Sequence, residues 1–412
     1  MCVACGASWL GQHRISGTPY TLGLGRPELD ELLPELVREW LERSGSLPLT
    51  IFFNGYKSMG DESGDYDDTV AVANALIVEI LNLHSHRWRI LNLTTTAPAF
   101  RRFSGSIQPN QLVGLGLEVA YQSSDPSPPK FLMESELTPT HLMLDFPLTS
   151  VNVRWDNITH VTIPFISAKE SINILRRASS LEYYDIHIYQ PSEVSFRKPI
   201  LHLRLRSLHL STSLNIEKFL REINVPSIEE WTHDSIHNGP LPVSALLSVF
   251  KRSGCHLKIL HLTSLLVHSE GLNTILQAMP SLERVRLSFR TEVTVNTMMD
   301  DILARIFRPA PGNGKTLPIS KSFLPRLQFM QFDMEGRQDV PFSWDKLPQL
   351  YRRGHQRSLV LKTTIKKLDI TDETAIQLLQ LSEVGLDLQI FDISIGGDFL
   401  QNFRERMHEQ GV

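Results

Sequence analysis

Four groups of residues have types and spacings that chemistry can use. Cys2 and Cys5 are separated by two intervening residues, as paired zinc ligands are, but a closed structural site takes four ligands and only His13 lies near them. PAPGNGKT at 309–316 ends like a phosphate-binding loop. Pro309 occupies the place of that loop's first glycine, where a proline has no N–H to offer a phosphate and restricts the turn. The acidic run GDESGDYDD at 60–68 lacks the alternating ligand spacing of a calcium loop and reads as a solvated connection between a strand and a helix. Fifteen histidines could supply a general base, yet the chain has no G-x-S-x-G elbow and no H-E-x-x-H pair to give one a nucleophile or a metal. The expectation is therefore no enzyme, no cofactor and no bound metal.

The elements that would position such groups are written more plainly. The pattern L-x-x-L-x-L occurs as Leu205, Leu208, Leu210, as Leu257, Leu260, Leu262, and with one valine as Leu282, Val285, Leu287. Looser copies start at Trp88, Leu148, Ile158, Leu181, Ile228 and Leu327; from Ile158 the starts lie 23, 24, 23, 29, 25 and 45 positions apart. Between them apolar residues recur at helical spacing: Leu33, Leu36, Val37, Trp40; Ala73, Leu76, Ile77, Ile80; Ile216, Phe219, Leu220, Ile223; Val243, Leu246, Leu247, Phe250; Leu272, Ile275, Leu276, Met279. Pro226, Gly254 and Pro280 supply helix stops. A single strand and helix cannot bury enough apolar surface to offset their ordering, whereas stacked copies can. The expected fold is α/β, an irregular leucine-rich-repeat solenoid forming a right-handed horseshoe of strand–helix repeats, with an ordinary α/β domain of alternating strands and helices as the rival. Irregularity is expected because Ser213, Leu265 and Arg290 stand where a regular repeat has asparagine.

Composition bounds the setting. The 412 residues are 42% hydrophobic with a net charge of −4, which advertises neither a nucleic acid nor an anionic membrane as partner. No apolar run approaches a membrane span, and the opening MCVACGASWLGQHR does not resemble a secretory signal. With three cysteines and no disulfide framework, the expectation is an intracellular protein, cytoplasmic or nuclear.

Several ordered phrases carry a resemblance. LVREWLERSGSLPLTIFF at 36–53, EILNLHSHRWRILNL at 79–93, LPVSALLSVFKRSGCHLKILHL at 241–262, MPSLERVRLSF at 279–289, FLPRLQFMQF at 323–332 and VGLDLQIF at 384–391 resemble the F-box proteins with leucine-rich-like repeats that are expanded in mushroom-forming fungi. The resemblance implies a non-enzymatic substrate receptor of a cullin-RING ubiquitin ligase, in which the F-box docks on the adaptor and the repeats hold a protein substrate. Only the tail of an F-box is matched, in CGASWLGQHRISGTPYTLGLG at 5–25, through Cys5, Trp9, Thr18 and Pro19. Adaptor binding is thus the weakest part of what it implies, and the alternative is a stand-alone repeat scaffold or binder. The resulting divisions are 1–30 as the F-box-like remnant, 31–395 as the repeats and 396–412 as a C-terminal tail.

Repeat geometry also places a partner surface. In L-x-x-L-x-L the leucines face the core, and the residue between the last two faces outward. The outward column would hold Asn92, Asn152, Thr162, Asp185, His209, Thr232, His261, Arg286 and Gln331, flanked by Arg206, Lys258 and Arg284. Its later half reads as basic, so the candidate partner-binding residues are Arg206, His209, Lys258, His261, Arg284 and Arg286.

Overall fold

The computed structural model describes residues 2–5, 32–55, 68–105, 111–119, 129–190, 198–212, 215–236, 240–263, 269–289, 295–307, 323–334, 344–353, 359–365, 370–383, 386–392 and 396–409. The chain is α/β with a mostly parallel sheet, and it divides into two compact units. One comprises Met1–Ile166 with Asn173–Ile186, the other Ser167–Ile172 with His187–Val412.

In the first unit β1 (Cys2–Cys5) runs antiparallel to β2 (Leu49–Asn54). Parallel pairing then continues through β3 (Trp88–Thr95), β4 (Gly114–Val119), β5 (His141–Leu144) and β6 (His160–Ser167). Beyond β6 comes β7 (Tyr183–Gln190), where Tyr183 N–H donates to Thr159 O. Alternation decides the faces: Leu91, Leu93, Leu115, Leu117, Leu142, Leu144, Val161 and Ile163 are buried at every second position. Helices α1 (Leu33–Arg43) and α2 (Asp68–Leu83) pack together, burying Val37, Leu41, Ile77 and Leu81. The end of α1 is held by Arg87, whose buried guanidinium donates to Leu41 O at 3.1 Å, Leu47 O at 3.0 Å and Ser44 Oγ at 2.6 Å. Those carbonyls belong to the last turn and the segment after it, which have no partners in the helix itself.

The copy expected at Leu148 is corrected here. Leu148–Ser150 forms a 3-10 turn, and Val151 and Val153 make only isolated bridges to Phe131 and Leu137. Asn152 is not in the outward column, because its side chain both accepts from Met133 N–H (3.0 Å) and donates to Met133 O (2.9 Å). The strands in this region are β4 and β5.

In the second unit the parallel row is β9 (Ser207–Thr212), β11 (Glu230–Ser235), β12 (Ile259–Thr263), β13 (Arg284–Phe289), β14 (Phe329–Met334), β15 (Leu359–Ile365) and β16 (Leu386–Asp392). A short pair, β8 (Ile200–Leu201) and β10 (Ile223–Asn224), lies beside it in sequence. Strand pairing is in register across the row: Leu208, Trp231, Leu260, Val285, Met330, Leu361 and Leu388 pair strand to strand, all buried. Between strands run α3 (Glu217–Arg221), α4 (Val243–Ser253), α5 (Ser269–Gln277), α6 (Val295–Ile306), α7 (Lys346–Arg353) and α8 (Asp372–Glu383), followed by α9 (Phe399–Glu409); each packs on the next. Gly254 ends α4 with φ of 59°, the left-handed conformation that a glycine adopts without a Cβ penalty, and its N–H donates to Phe250 O.

Two expectations change. The stripe Ile216 to Ile223 is buried throughout, but its helix is only α3; Ile216 precedes it and Ile223 belongs to β10. The expected tail at 396–412 contributes β17 (Gly397–Asp398), antiparallel to β16, and α9, which buries Leu400 and Phe403. Ser213, Leu265, Arg290, the 309–316 segment and all of the 60–68 run except Asp68 lie outside the described residues, as do residues 6–30 of the F-box-like stretch.

Candidate functional site

The second unit places His209, His261, Arg284 and Arg286 on β9, β12 and β13, with Arg206 and Lys258 immediately before β9 and β12. His209, Thr232, His261, Arg286 and Gln331 pair in register, so they form one transverse row. Arg284 sits one step back in β13, opposite Ile259. Arg206 and Lys258 stand just before β9 and β12, and their carbonyls accept the N–H groups of Glu229 and Glu230 and of Glu283 and Arg284.

The charge on these rows is mixed, because acids alternate with the bases. At the strand entrances the order across neighbours is Arg206, Glu229, Lys258, Glu283. Lys258 Nζ lies 2.8 Å from Glu229 Oε2, and this contact holds the ammonium pKa above its ordinary value. Glu230 accepts from the Ser207 hydroxyl at 3.0 Å and lies 3.5 Å from His209 Nε2; hydrogen bonding to His209, more than to Ser207, keeps its carboxyl below the usual range. Arg286 Nε donates to the buried Asp333 carboxylate at 2.6 Å, which also accepts from Gln331 Nε2 at 2.8 Å. Burial, more than Arg286 or His209, depresses the His261 pKa. Arg206 and Arg284 are exposed.

The first unit holds a cavity that the sequence reading did not single out. It measures about 320 Å³ and is lined by Ile90, Val113, Gly114, His141, His160 and Tyr183 together with Asn92, Met143 and Thr162. Register explains the lining, since Ile90 pairs with Gly114, Gly114 with His141, and His141 with His160. The His141 and His160 rings stack at 4.3 Å between centroids, and Tyr183 continues the stack at 5.7 Å. Each imidazole is gripped by the threonine before it: Thr140 Oγ1 lies 2.8 Å from His141 Nδ1, and Thr159 Oγ1 lies 2.9 Å from His160 Nδ1. Burial lowers both histidine pKa values, and for His141 the neighbouring His160 lowers it further, so both imidazoles favour the neutral form. The sequence signal for this cavity was G-L-G-L at 114–117, since glycine inside a strand marks a missing side chain or a close approach.

Among the described residues no group of three or more His, Cys, Asp or Glu side chains is placed to hold a metal, and no helix is long and apolar enough to cross a membrane. No family model matches the chain, and no curated protein matches it.

Proposed function

We propose that this chain is a non-enzymatic protein-interaction module, an irregular leucine-rich-repeat-like solenoid related to the substrate receptors of cullin-RING ubiquitin ligases, which holds a protein partner without transforming it. The supporting observation is the alternating row Arg206, Glu229, Lys258, Glu283, carried on strands about 4.8 Å apart. Its internal ion pair is half-exposed, and solvent screens such pairs so strongly that a partner's charges can replace it at little cost. Fixed alternation of sign favours an extended partner in one register and penalises a shifted one. The ligase connection rests on the sequence resemblance alone.

Purification of the chain from extract, beside a folded Arg206→Glu, Arg284→Glu variant, tests the reading. A protein recovered with the parent and depleted with the variant is the expected result. Equal recovery with both would move the contact off these rows. A stand-alone scaffold would recover its partner without any cullin adaptor.

A further inference from the structure

The cavity of the first unit has a specific vacancy. Along one outward row the side chains run Ile90, none at Gly114, His141, His160 and Tyr183, so the stack of rings stops at a glycine. A Cβ built at Gly114 would meet Ile90 at 3.6 Å, an ordinary contact, and nothing of His141 within 4 Å. Ile90 and His141 are two strand spacings apart, about 9–10 Å. One flat ring between them needs two contacts of about 3.5–4.0 Å, which the gap accommodates. The next row sets the slot's rim: a Cβ at Gly116 would collide with Asn92 Oδ1, so the Asn92 amide lies over that glycine and offers an acceptor beside the slot.

We propose that this slot binds a planar aromatic side chain, tryptophan above all, presented by a protein partner. The ring stacks on the His141 face, packs against Ile90, and turns its N–H toward the Asn92 amide. The cavity lies at the small end of the roughly 300–1,000 Å³ range of ligand pockets, the size of one ring system. A side chain on a polypeptide fits better than a free metabolite because Val113 and Met143 at the rim are 38% and 44% exposed, apolar surface that flanking residues of a partner would cover. This site is distinct from the charged rows of the second unit, and its failure would leave that reading untouched.

Saturation-transfer NMR on the full chain with N-acetyl-tryptophanamide, N-acetyl-leucinamide and adenosine provides the test. Saturable binding of the tryptophan probe is expected, with the leucine probe about tenfold weaker, the value of ring stacking over plain apolar contact. Gly114→Leu fills the slot from inside and should abolish the signal. His141→Leu keeps the bulk and removes the stacking face, and should weaken binding severalfold. Absence of binding to the parent, equal binding of the leucine probe, or undiminished binding by both variants with parental melting behaviour would overturn the proposal. Tighter binding of adenosine would overturn its protein-partner half.

Discussion

His233 occupies a leucine position and pays for it in pH sensitivity. In β11 it stands where the strand pattern asks for an apolar residue, paired on one side with Leu210 and on the other with Leu262, at 1% exposure. Burial pushes its pKa from 6.5 down to about 4, with Asp234 opposing weakly. Between these values the unfolded chain binds a proton that the folded chain excludes, so stability is full above about pH 6.5 and falls as the pH drops toward 4. The whole shift corresponds to about 3 kcal/mol, of which about 2 kcal/mol is lost by about pH 5. His233→Leu completes the leucine row and removes the proton. Denaturant unfolding of parent and variant at about pH 7.5 and about pH 5 isolates this contribution, because the other titrating groups cancel in the difference. The variant should lose about 2 kcal/mol less than the parent on acidification. It should also be more stable by about 1 kcal/mol at the higher pH, since Nδ1 of His233 is buried without a hydrogen bond. Identical pH dependence of the two proteins would refute the placement of His233 in the core.

Leu260→Ala, at the centre of the buried row, should cost about 2–5 kcal/mol in the same assay. Arg286→Met should cost about 1–3 kcal/mol, because it strips the Asp333 carboxylate of its ionic partner inside the sheet face; a neutral result would show the pair to be incidental. Asp145, whose carboxyl burial raises to about 6 with help from Glu118, is costly to keep ionised, so its contribution to stability diminishes as the pH rises through 6. Asp145→Asn should therefore raise the denaturant midpoint at about pH 7.5 and change it little at about pH 4.

The buried half of the sheet was legible because leucine at the first, fourth and sixth positions leaves few alternatives to a strand with its core face fixed. The same rule accepted Leu148, Val151 and Val153, where a 3-10 turn and two isolated parallel bridges stand in place of a strand. It passed over Gly114–Val119 and His141–Leu144, whose outward positions carry glycine, histidine and methionine and whose leucines are too few to repeat the pattern. The candidate site was half legible. Reading one outward residue per strand found Arg286 and His261 but not Glu229, Glu283 or Asp333, which lie a few positions before or after it and make the surface mixed in charge. The cavity depends on five strands set side by side, a relation that spacing along the chain does not express.

Covalent side-chain footprinting of the chain, free and bound to its recovered partner, tests the central claim most directly. Binding on the charged rows predicts that Lys258, His261 and Arg284 lose reactivity in the complex while exposed groups on the helices, such as Arg221 and Lys251, keep theirs. Unchanged labelling of Lys258 and Arg284 in a saturated complex would contradict it.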